Sequence, residues 1–240
     1  MTQASKFCLP IVGKNLSEIL DSIQTSQNLV QNLEIRFDFV ENPQLDFVDQ
    51  LLPNINPDKK TIFTFRPKKE GGEFVGELSF WQEVIQKALV LGFDFVDIDY
   101  ANIGLIDFAK KHPKTKIICS YHHFNTTPGY RNLRKLQKNM RGYKPDIMKF
   151  ATKVKTDQDN QNLLRLLLSK KKNEKMIVIG MGEKGKMTRI LAPLLGSQIS
   201  WVSHKNLSSA PGQLSLQDTQ NIYLVLQNAG IINEQNFSQD

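Results

Sequence analysis

The sequence predicts a single-domain α/β fold of the (β/α)8 barrel, or TIM barrel, type. Apolar runs of strand length alternate with amphipathic stretches along the chain, and eight such pairs fit within its 240 residues. Alternation of this kind is typical of βα units around a parallel sheet, and eight units in about 250 residues match the barrel's usual size. An open, doubly wound sheet is the alternative that the same alternation allows.

The predicted strands are short runs rich in apolar, β-branched and aromatic residues. In chain order they are Phe7–Val12, Leu33–Phe39, Thr61–Phe65, Phe93–Tyr100, Lys116–Tyr121, Asp146–Phe150, Met176–Gly180 and Ile199–Ser203. Because nothing between them resembles a linker, we expect one domain over residues 1–240, with residues 231–240 as a flexible tail.

Three helix starts carry capping signals. Asn15, followed by Glu18, precedes apolar residues spaced three and four apart, which is the pattern of an amphipathic helix. Thr156 is positioned to cap a leucine-rich helix, and Ser215 with Asp218 to cap the last one. Each of these helices follows a predicted strand, as βα units require.

The net charge of +7 is spread over lysine pairs and one lysine triplet at predicted element ends, which is typical of a solvated surface. No zinc-finger spacing or arginine-rich helix favours a nucleic-acid partner, so the charge is only a hint of an anionic ligand. No apolar run approaches the roughly 20 residues of a membrane span, and Met1–Phe7 lacks signal-peptide features. We therefore expect a cytoplasmic protein without a membrane partner, with Cys8 and Cys119 reduced and no metal site.

The sixth predicted strand carries one lysine, Lys149, among residues that ought to be buried. Lysine is almost never fully buried unless it is paired. Lys149 therefore either points to solvent from an edge strand or faces a cavity where its amine has a use. For a strand lysine taken alone, the edge position is the more common case.

The fifth predicted strand ends in two adjacent histidines, His122 and His123. Neighbouring side chains on a strand point to opposite faces, so only one of them faces the barrel lumen. A histidine at a barrel rim is more often structural than catalytic. Next to Lys149 on the following strand, however, it forms the pairing of amine nucleophile and proton shuttle that Schiff-base catalysis uses.

Charged residues alternate along the second predicted strand. Glu34, Arg36 and Asp38 lie two positions apart, which places all three on one face. Charges on one face of a barrel strand either pair inside the lumen or face the helices at a cost in free energy. A purely structural Glu–Arg pair is the alternative to a binding role.

Two further strand ends carry polar residues. The third strand runs into Arg66, whose guanidinium suits carboxylate or hydroxyl recognition, and Glu70 in the same loop is a candidate to orient a neighbour. Asp97 and Asp99 end the fourth strand on one face, either as metal ligands or as carboxylates that support other side chains. The lack of histidines at ligand spacing favours the second interpretation.

Residues 180–185 match the glycine fingerprint of dinucleotide-binding folds. That fingerprint also requires an acidic residue about 20 positions further on, but none occurs between Glu183 and Asp218. A nicotinamide cofactor is therefore not expected. The loops after the seventh and eighth strands of a barrel often bind an anionic group, so Arg189 and residues 209–213 are candidates for a carboxylate clamp.

Together these residues resemble the type I 3-dehydroquinate dehydratases, Schiff-base-forming (β/α)8 enzymes of the shikimate pathway. The resemblance covers almost the whole chain. It rests on six motifs in the family's order, which are Glu34-Ile35-Arg36, Thr64-Phe65-Arg66 with Glu70-Gly71-Gly72, Ser120-Tyr121-His122, Lys149-Phe150-Ala151, Arg189, and Ser209-Ala210-Pro211-Gly212-Gln213.

The resemblance implies a role for each matching residue. Lys149 corresponds to the Schiff-base lysine, His122 to the catalytic histidine, and Glu70 to a carboxylate that orients this histidine. The implied substrate-binding residues are Glu34, Arg36, Arg66, Arg189, Ser209, Ala210 and Gln213, with Arg189 at the substrate carboxylate. The three arginines are expected to surround Lys149 and favour its neutral amine. The family also implies a homodimer that uses neither metal nor cofactor.

Two departures from the family are visible. Pro10 stands where some members have a serine near the substrate, and His123 stands where many have an aspartate, which bears on the pKa of the catalytic histidine. Two alternative functions fit the same fold. One is another Schiff-base aldolase, which needs Lys149 but not a clamp of Arg189 and Gln213. The other is a catalytically inactive domain that binds a sugar-like acid.

Overall fold

The computed structural model describes residues 6–105, 112, 114–205, 207, 210 and 212–232. Within them, nine parallel strands form one curled sheet. The strands are β1 (Phe7–Ile11), β2 (Asn32–Arg36), β3 (Lys60–Thr64), β4 (Phe95–Asp99), β5 (Lys116–His123), β6 (Ile147–Lys153), β7 (Lys175–Met181), β8 (Ser200–Ser203) and β9 (Leu214–Ser215). Each of the eight predicted strands corresponds to one of β1 to β8.

The order of the strands is that of a barrel. They neighbour one another as β7-β6-β5-β4-β3-β2-β1-β8-β9, so that the last full strand returns to the first. A backbone hydrogen bond of 3.0 Å from Gln198 N to Met176 O joins the segment before β8 to β7. The predicted TIM-barrel fold is confirmed. The doubly wound sheet is wrong, because β1 to β7 neighbour one another in chain order and β8 pairs with β1.

Five of the described α-helices lie between strands along the chain, and the sixth follows the last strand. They are α1 (Leu16–Ser26), α2 (Leu78–Leu91), α3 (Tyr130–Gly142), α4 (Asp157–Leu168), α5 (Lys186–Leu194) and α6 (Leu216–Asn228). All three predicted capping residues, Asn15, Thr156 and Ser215, accept a hydrogen bond from the first turn of their helices. Within the described part of the chain, no helix has the length and apolar character needed to cross a membrane.

The period of two along each strand divides the core into two layers. On β6, Met148 and Phe150 pack in the large cluster between sheet and helices, whereas Ile147 and Ala151 belong to a second cluster inside the barrel. Lys149 lies two positions from Ile147 and from Ala151, so it is on the same face of the strand and also points inwards. The inner cluster fills part of the lumen with mainly aliphatic side chains.

Some predicted boundaries differ from the structure. The second strand ends at Arg36 because residues Phe37–Phe39 form a 3-10 turn, and β6 extends past its predicted end to Lys153. The short strand β9 was not predicted, since its two residues carry no periodic pattern. Most of the tail predicted over residues 231–240 lies outside the described residues.

Candidate active site

The side chain of Lys149 is buried inside the barrel, and it is only 5% exposed. Its Nζ lies 2.8 Å from Asp97 Oδ2 and 3.8 Å from Glu34 Oε1, and 4.2 Å above the centre of the Trp201 ring. Contacts with two carboxylates and an aromatic face compensate the cost of burying an ammonium group. The prediction of a lysine that faces a cavity is therefore confirmed by its position, but the groups in contact with its amine are carboxylates and not the expected arginines.

Asp97 on β4 connects three polar groups from different strands. Its carboxylate accepts hydrogen bonds from Lys149 at 2.8 Å, from Arg66 at 3.0 Å and from Ser120 Oγ at 2.6 Å. Burial by itself raises the pKa of an aspartate, but the charges of Lys149 and Arg66 hold the pKa of Asp97 well below its usual range. Asp97 is therefore a buried anion that fixes two cations.

His122 on β5 lines the cavity, with 6% of its side chain exposed. Its Nδ1 lies 3.1 Å from Asp99 Oδ2. Burial, assisted by the charge of Arg66, lowers the pKa of His122 to about 4, although the hydrogen bond to Asp99 acts in the opposite direction. The imidazole is therefore neutral near pH 7, which is the form that a general base needs.

The neighbouring histidine has a different environment. Nδ1 of His123 lies 2.8 Å from the backbone oxygen and 3.2 Å from the backbone nitrogen of Thr126, so its ring supports the loop after β5. The expectation that only one of the two faces the lumen is confirmed, because the cavity is lined by His122 and not by His123.

Glu70 lies in the loop after β3 and is 8% exposed. Its carboxylate accepts a hydrogen bond of 2.7 Å from Asn102 Nδ2, and burial raises its pKa. Nδ1 of His122 lies within hydrogen-bonding distance of Asp99 instead. The contact expected between Glu70 and the histidine is therefore not the one found at Nδ1, where the carboxylate is that of Asp99 on the neighbouring strand β4.

Glu34 on β2 is part of the lysine's environment. Its carboxylate accepts hydrogen bonds from Thr64 Oγ1 at 2.9 Å and from the indole Nε1 of Trp201 at 2.8 Å. Trp201 in turn covers the ammonium group of Lys149. These contacts hold Glu34 beside Lys149 without a pairing to Arg36.

The two arginines from β2 and the end of β3 are both buried and paired. Arg36 forms a two-pronged hydrogen bond with Asp38, at 2.9 and 2.7 Å. Asp38 also accepts from the backbone N–H of Glu73 at 3.1 Å, which fixes the loop after β3 against β2. Arg66 pairs with Asp97. Arg36 is therefore paired with Asp38, and not with Glu34 as in the purely structural alternative. Arg36 and Arg66 both line the cavity.

Arg189 on α5 differs from the other arginines because it has no carboxylate partner among the described residues. It is 4% exposed, its Nε makes no hydrogen bond, and its terminal nitrogen lies 3.5 Å from Trp201 O. Burial lowers its pKa to about 10. A buried guanidinium that lines a cavity without a compensating anion is suited to bind an anionic group of a ligand.

The predicted clamp loop is described in part. Ala210 and Gln213 line the same cavity, whereas Ser209 lies outside the described residues. Gly212 has a φ of 78°, and a Cβ added there would lie 2.6 Å from the backbone oxygen of Gly182. This contact brings the loop after β8 against the loop after β7, at the mouth of the cavity.

The cavity, together with the open solvent at its mouth, has an empty volume of about 490 Å³. The described residues that line it are Glu34, Arg36, Arg66, Gly71, His122, Phe124, Lys149, Ala151, Ile179, Met181, Arg189, Trp201, Ala210 and Gln213. Four of these side chains are cations and one is a carboxylate, so the wall favours an anionic ligand. The structure therefore brings together all of the predicted site residues that it describes except Glu70, which does not line the cavity.

The glycine motif that resembles a dinucleotide fingerprint has a packing role. A Cβ added at Gly185 would lie 2.3 Å from the backbone carbon of Gly180, so these two residues must both be glycine for the strand and helix to approach. Thr188 Oγ1 accepts from Gly180 N at 2.7 Å and donates to Gly185 O at 2.8 Å. The motif places the start of α5, and with it Arg189, at the cavity.

Sequence reasoning did not identify several lining residues, among them Trp201, Phe124 and Met181. Each is an apolar residue near the end of a strand, where it is indistinguishable in sequence from a core residue. The alternation of Trp201 with Ser200 and Val202 on β8 carries the period of two, but not the information that this strand returns to β1.

Comparisons with known proteins agree with this geometry. A model of the type I 3-dehydroquinase family matches residues 7–229. The chain is 40% identical over 223 residues to a 3-dehydroquinate dehydratase of Coxiella burnetii, covering 93% of this chain and 94% of that protein.

Solved structures of 3-dehydroquinate dehydratases have the same fold. The enzyme of Clostridium difficile has a TM-score of 0.83 at 24% identity, with 95% of this chain and 97% of that chain covered. The enzyme of Geobacillus kaustophilus has a TM-score of 0.82 at 25% identity, with 93% and 91% covered. At 24% identity, the similarity to the Clostridium difficile enzyme is a similarity of fold.

Proposed function

Because this chain belongs to the type I 3-dehydroquinase family, we propose that it dehydrates 3-dehydroquinate to 3-dehydroshikimate through an imine on Lys149. One observation carries this proposal. A lysine and a neutral histidine, both buried, line one cavity whose wall is mainly cationic. An amine nucleophile, a proton shuttle and an anion-binding wall are the three parts that such a dehydration requires.

The first step joins the substrate to the enzyme. The ammonium group of Lys149 first gives up a proton, its neutral Nζ attacks the C3 ketone, and this proton leaves with the former carbonyl oxygen as water, which gives an iminium ion. The iminium carries the same charge as the ammonium group that Asp97 and Glu34 contact in the free protein. These carboxylates therefore stabilise the intermediate, and they compensate its charge without rearrangement of the site.

The second step removes water from the ring. His122 takes a proton from C2, and the electrons move into the iminium to give an enamine. The enamine then expels the C1 hydroxyl group, which leaves as water with the proton from His122. Hydrolysis of the conjugated iminium releases 3-dehydroshikimate and returns Lys149. One imidazole thus serves first as base and then as acid, which requires a ring that starts neutral.

The strand register supports these roles. Ser120 is the partner of Lys149 in the β5–β6 pair, and His122 is the partner of Ala151. His122 is therefore one strand across and two residues along from Lys149, about 8 Å between Cα atoms from ordinary sheet spacings. Two side chains that converge over this distance can reach adjacent carbons of a six-membered ring.

Arg189 and Gln213 are the proposed binding residues for the substrate carboxylate and hydroxyl groups, together with Glu34, Arg36, Arg66, Ser209 and Ala210. Arg189 is the best placed for the carboxylate because its charge is not compensated by a described side chain. A Schiff-base aldolase would also use Lys149 but has no need of this arginine. The geometry of Arg189 favours the dehydratase over that alternative.

Trapping with borohydride tests the proposal. We expect the protein, incubated with 3-dehydroquinate and sodium borohydride, to form an irreversible adduct on Lys149 that peptide mass spectrometry locates. Without borohydride, the ultraviolet absorbance of the enone product should rise. Lys149→Ala should lose both signals, and Lys153→Ala on the same strand serves as the matched control.

The results separate the alternatives. Turnover without an adduct on Lys149 would exclude the Schiff base, and an adduct without the enone product would indicate an aldolase-type enzyme. Neither signal would indicate a binding domain. His122→Ala should retain some adduct formation but reduce kcat by about 10²-fold or more, the usual effect of removing a general base.

We also propose a homodimer, which rests on the family resemblance alone, and the cytoplasmic location expected from the sequence. Light scattering of the purified protein measures the oligomeric state, and fractionation of cells that express the chain measures the location. A monomer in solution, or recovery with the membrane fraction, would contradict these proposals without affecting the chemistry at Lys149.

A further inference from the structure

Asp99 occupies a position at the end of β4 that the catalytic steps above do not use. Its side chain is 10% exposed. One carboxylate oxygen, Oδ1, accepts a hydrogen bond of 3.0 Å from the backbone N–H of Ala101, and the other, Oδ2, lies 3.1 Å from Nδ1 of His122. The backbone therefore fixes one oxygen, and this orients the other towards the histidine.

From this arrangement we infer that Asp99 is a positioning residue that selects the tautomer of His122. A neutral imidazole has one N–H group, and a carboxylate can only accept a hydrogen bond. The proton of His122 therefore lies on Nδ1, and Nε2 keeps its free electron pair for the C2 proton of the substrate. This inference rests on the proposed role of His122 as the acid and base.

The other charged groups around His122 do not perform this function. Arg66 and Lys149 are cations and cannot accept a proton from Nδ1, while Asp97 is already engaged by three hydrogen bonds. Glu70, the carboxylate that sequence reasoning assigned to this role, is bonded to Asn102. Of the described acidic residues, Asp99 alone has a carboxylate oxygen within hydrogen-bonding distance of Nδ1.

The fixed oxygen makes Asp99→Asn an informative substitution. In this variant the amide oxygen is expected to stay with the N–H of Ala101, because only the oxygen can accept that hydrogen bond. The amide NH2 then faces Nδ1 and donates to it, so the proton of the imidazole moves to Nε2. A ring protonated at Nε2 cannot act as the base, although its charge and volume are unchanged.

We expect Asp99→Asn to lower kcat for 3-dehydroquinate by about 10²-fold or more, the scale on which a general base contributes, with a much smaller change in KM. Borohydride trapping on Lys149 should persist, since imine formation does not need the base at C2. Nitrogen NMR of the histidine rings should report a proton on Nδ1 of His122 in the wild type and on Nε2 in the variant.

Three further variants make the test specific. Asp99→Glu restores a carboxylate and should regain part of the lost kcat. Glu70→Gln should leave the tautomer of His122 unchanged. Asp94→Asn is the matched control, because Asp94 lies just before the same strand but binds Lys60 and Thr61 at the opposite end of the barrel.

The outcomes are distinguishable. A proton that stays on Nδ1 in Asp99→Asn, or wild-type kcat in that variant, would overturn the inference. Equal loss of kcat and of borohydride trapping would also overturn it, since that result indicates a general structural defect. If His122→Ala keeps wild-type turnover, the proposed role of the histidine fails instead.

Discussion

At the scale of single residues, burial and pairing decide what each charged group does. Lys149 alone in an apolar strand favours a solvent-facing position, but its contacts with Asp97, Glu34 and Trp201 stabilise it inside the barrel. Arg189 shows the opposite case, a buried cation without a described counter-ion. The environment of Lys149 therefore suits a cationic group, and that of Arg189 suits an anionic ligand.

The lowered pKa of His122 predicts the acid limit of activity. The base must be neutral, so activity is present above the folded pKa of about 4 and is lost as the pH falls through this value. In the pH dependence of kcat/KM, which reports the free enzyme, we therefore expect no loss due to His122 around pH 6.5, the ordinary histidine value. A loss of kcat/KM centred near pH 6.5 that depends on His122 would contradict the effect of burial on its pKa. NMR titration of His122 measures this pKa directly.

At the scale of elements, parallel strands and their following loops bring the site residues together. Every second residue of β5 and of β6 faces the lumen, and the register pairs His122 with Ala151. His122, Lys149 and Ala151 therefore face the same cavity. A tight strand-to-helix packing positions the first turn of α5. The glycine motif at residues 180–185 thus positions Arg189. Its likeness to a dinucleotide-binding fingerprint reflects only the shared need for close packing of the backbone.

Thr188→Val tests this packing. The valine keeps the shape but removes the hydroxyl that bonds Gly180 N and Gly185 O, which leaves two buried backbone groups unpaired. We expect a loss of about 1–3 kcal/mol in the free energy of unfolding and a rise in KM larger than the fall in kcat, because Arg189 is displaced.

Thr188→Ser, which keeps the hydroxyl, is the control and should restore KM. Urea unfolding and steady-state kinetics measure the two effects. A variant that loses stability with no change in KM would show that the hydroxyl supports the fold without positioning Arg189.

At the scale of the whole molecule, the barrel depends on how the ends of the sheet meet. In the described residues β8 pairs as a strand with β1 and β9, and its approach to β7 is made by the segment before it. Gln198 N bonds Met176 O, and the hydroxyl of Ser197 accepts from Val178 N at 3.3 Å. Ser197 is fully buried, so this small contact contributes to closing the sheet.

Ser197→Ala leaves the N–H of Val178 without its side-chain partner. We expect the free energy of unfolding to fall by about 1–3 kcal/mol, the usual cost of an unpaired buried donor, with kcat little changed because the site lies at the other end of the strands. Urea unfolding gives the stability, and Ser17→Ala on the exposed side of α1 is the control. Equal stability of both variants would contradict the closing role.

The sequence by itself determined the alternation of strands and helices, the three helix caps, and the presence of a lysine and a histidine pair on neighbouring strands. These features follow from local chemistry and from periods of two and 3.6 residues, which a single chain displays directly. Only the tertiary structure decided that Asp97 holds Lys149, that Asp99 and not Glu70 holds His122, and that Trp201 covers the amine. Such pairings join residues 23 to 52 positions apart, and they depend on the register and curl of the sheet, which local patterns do not encode.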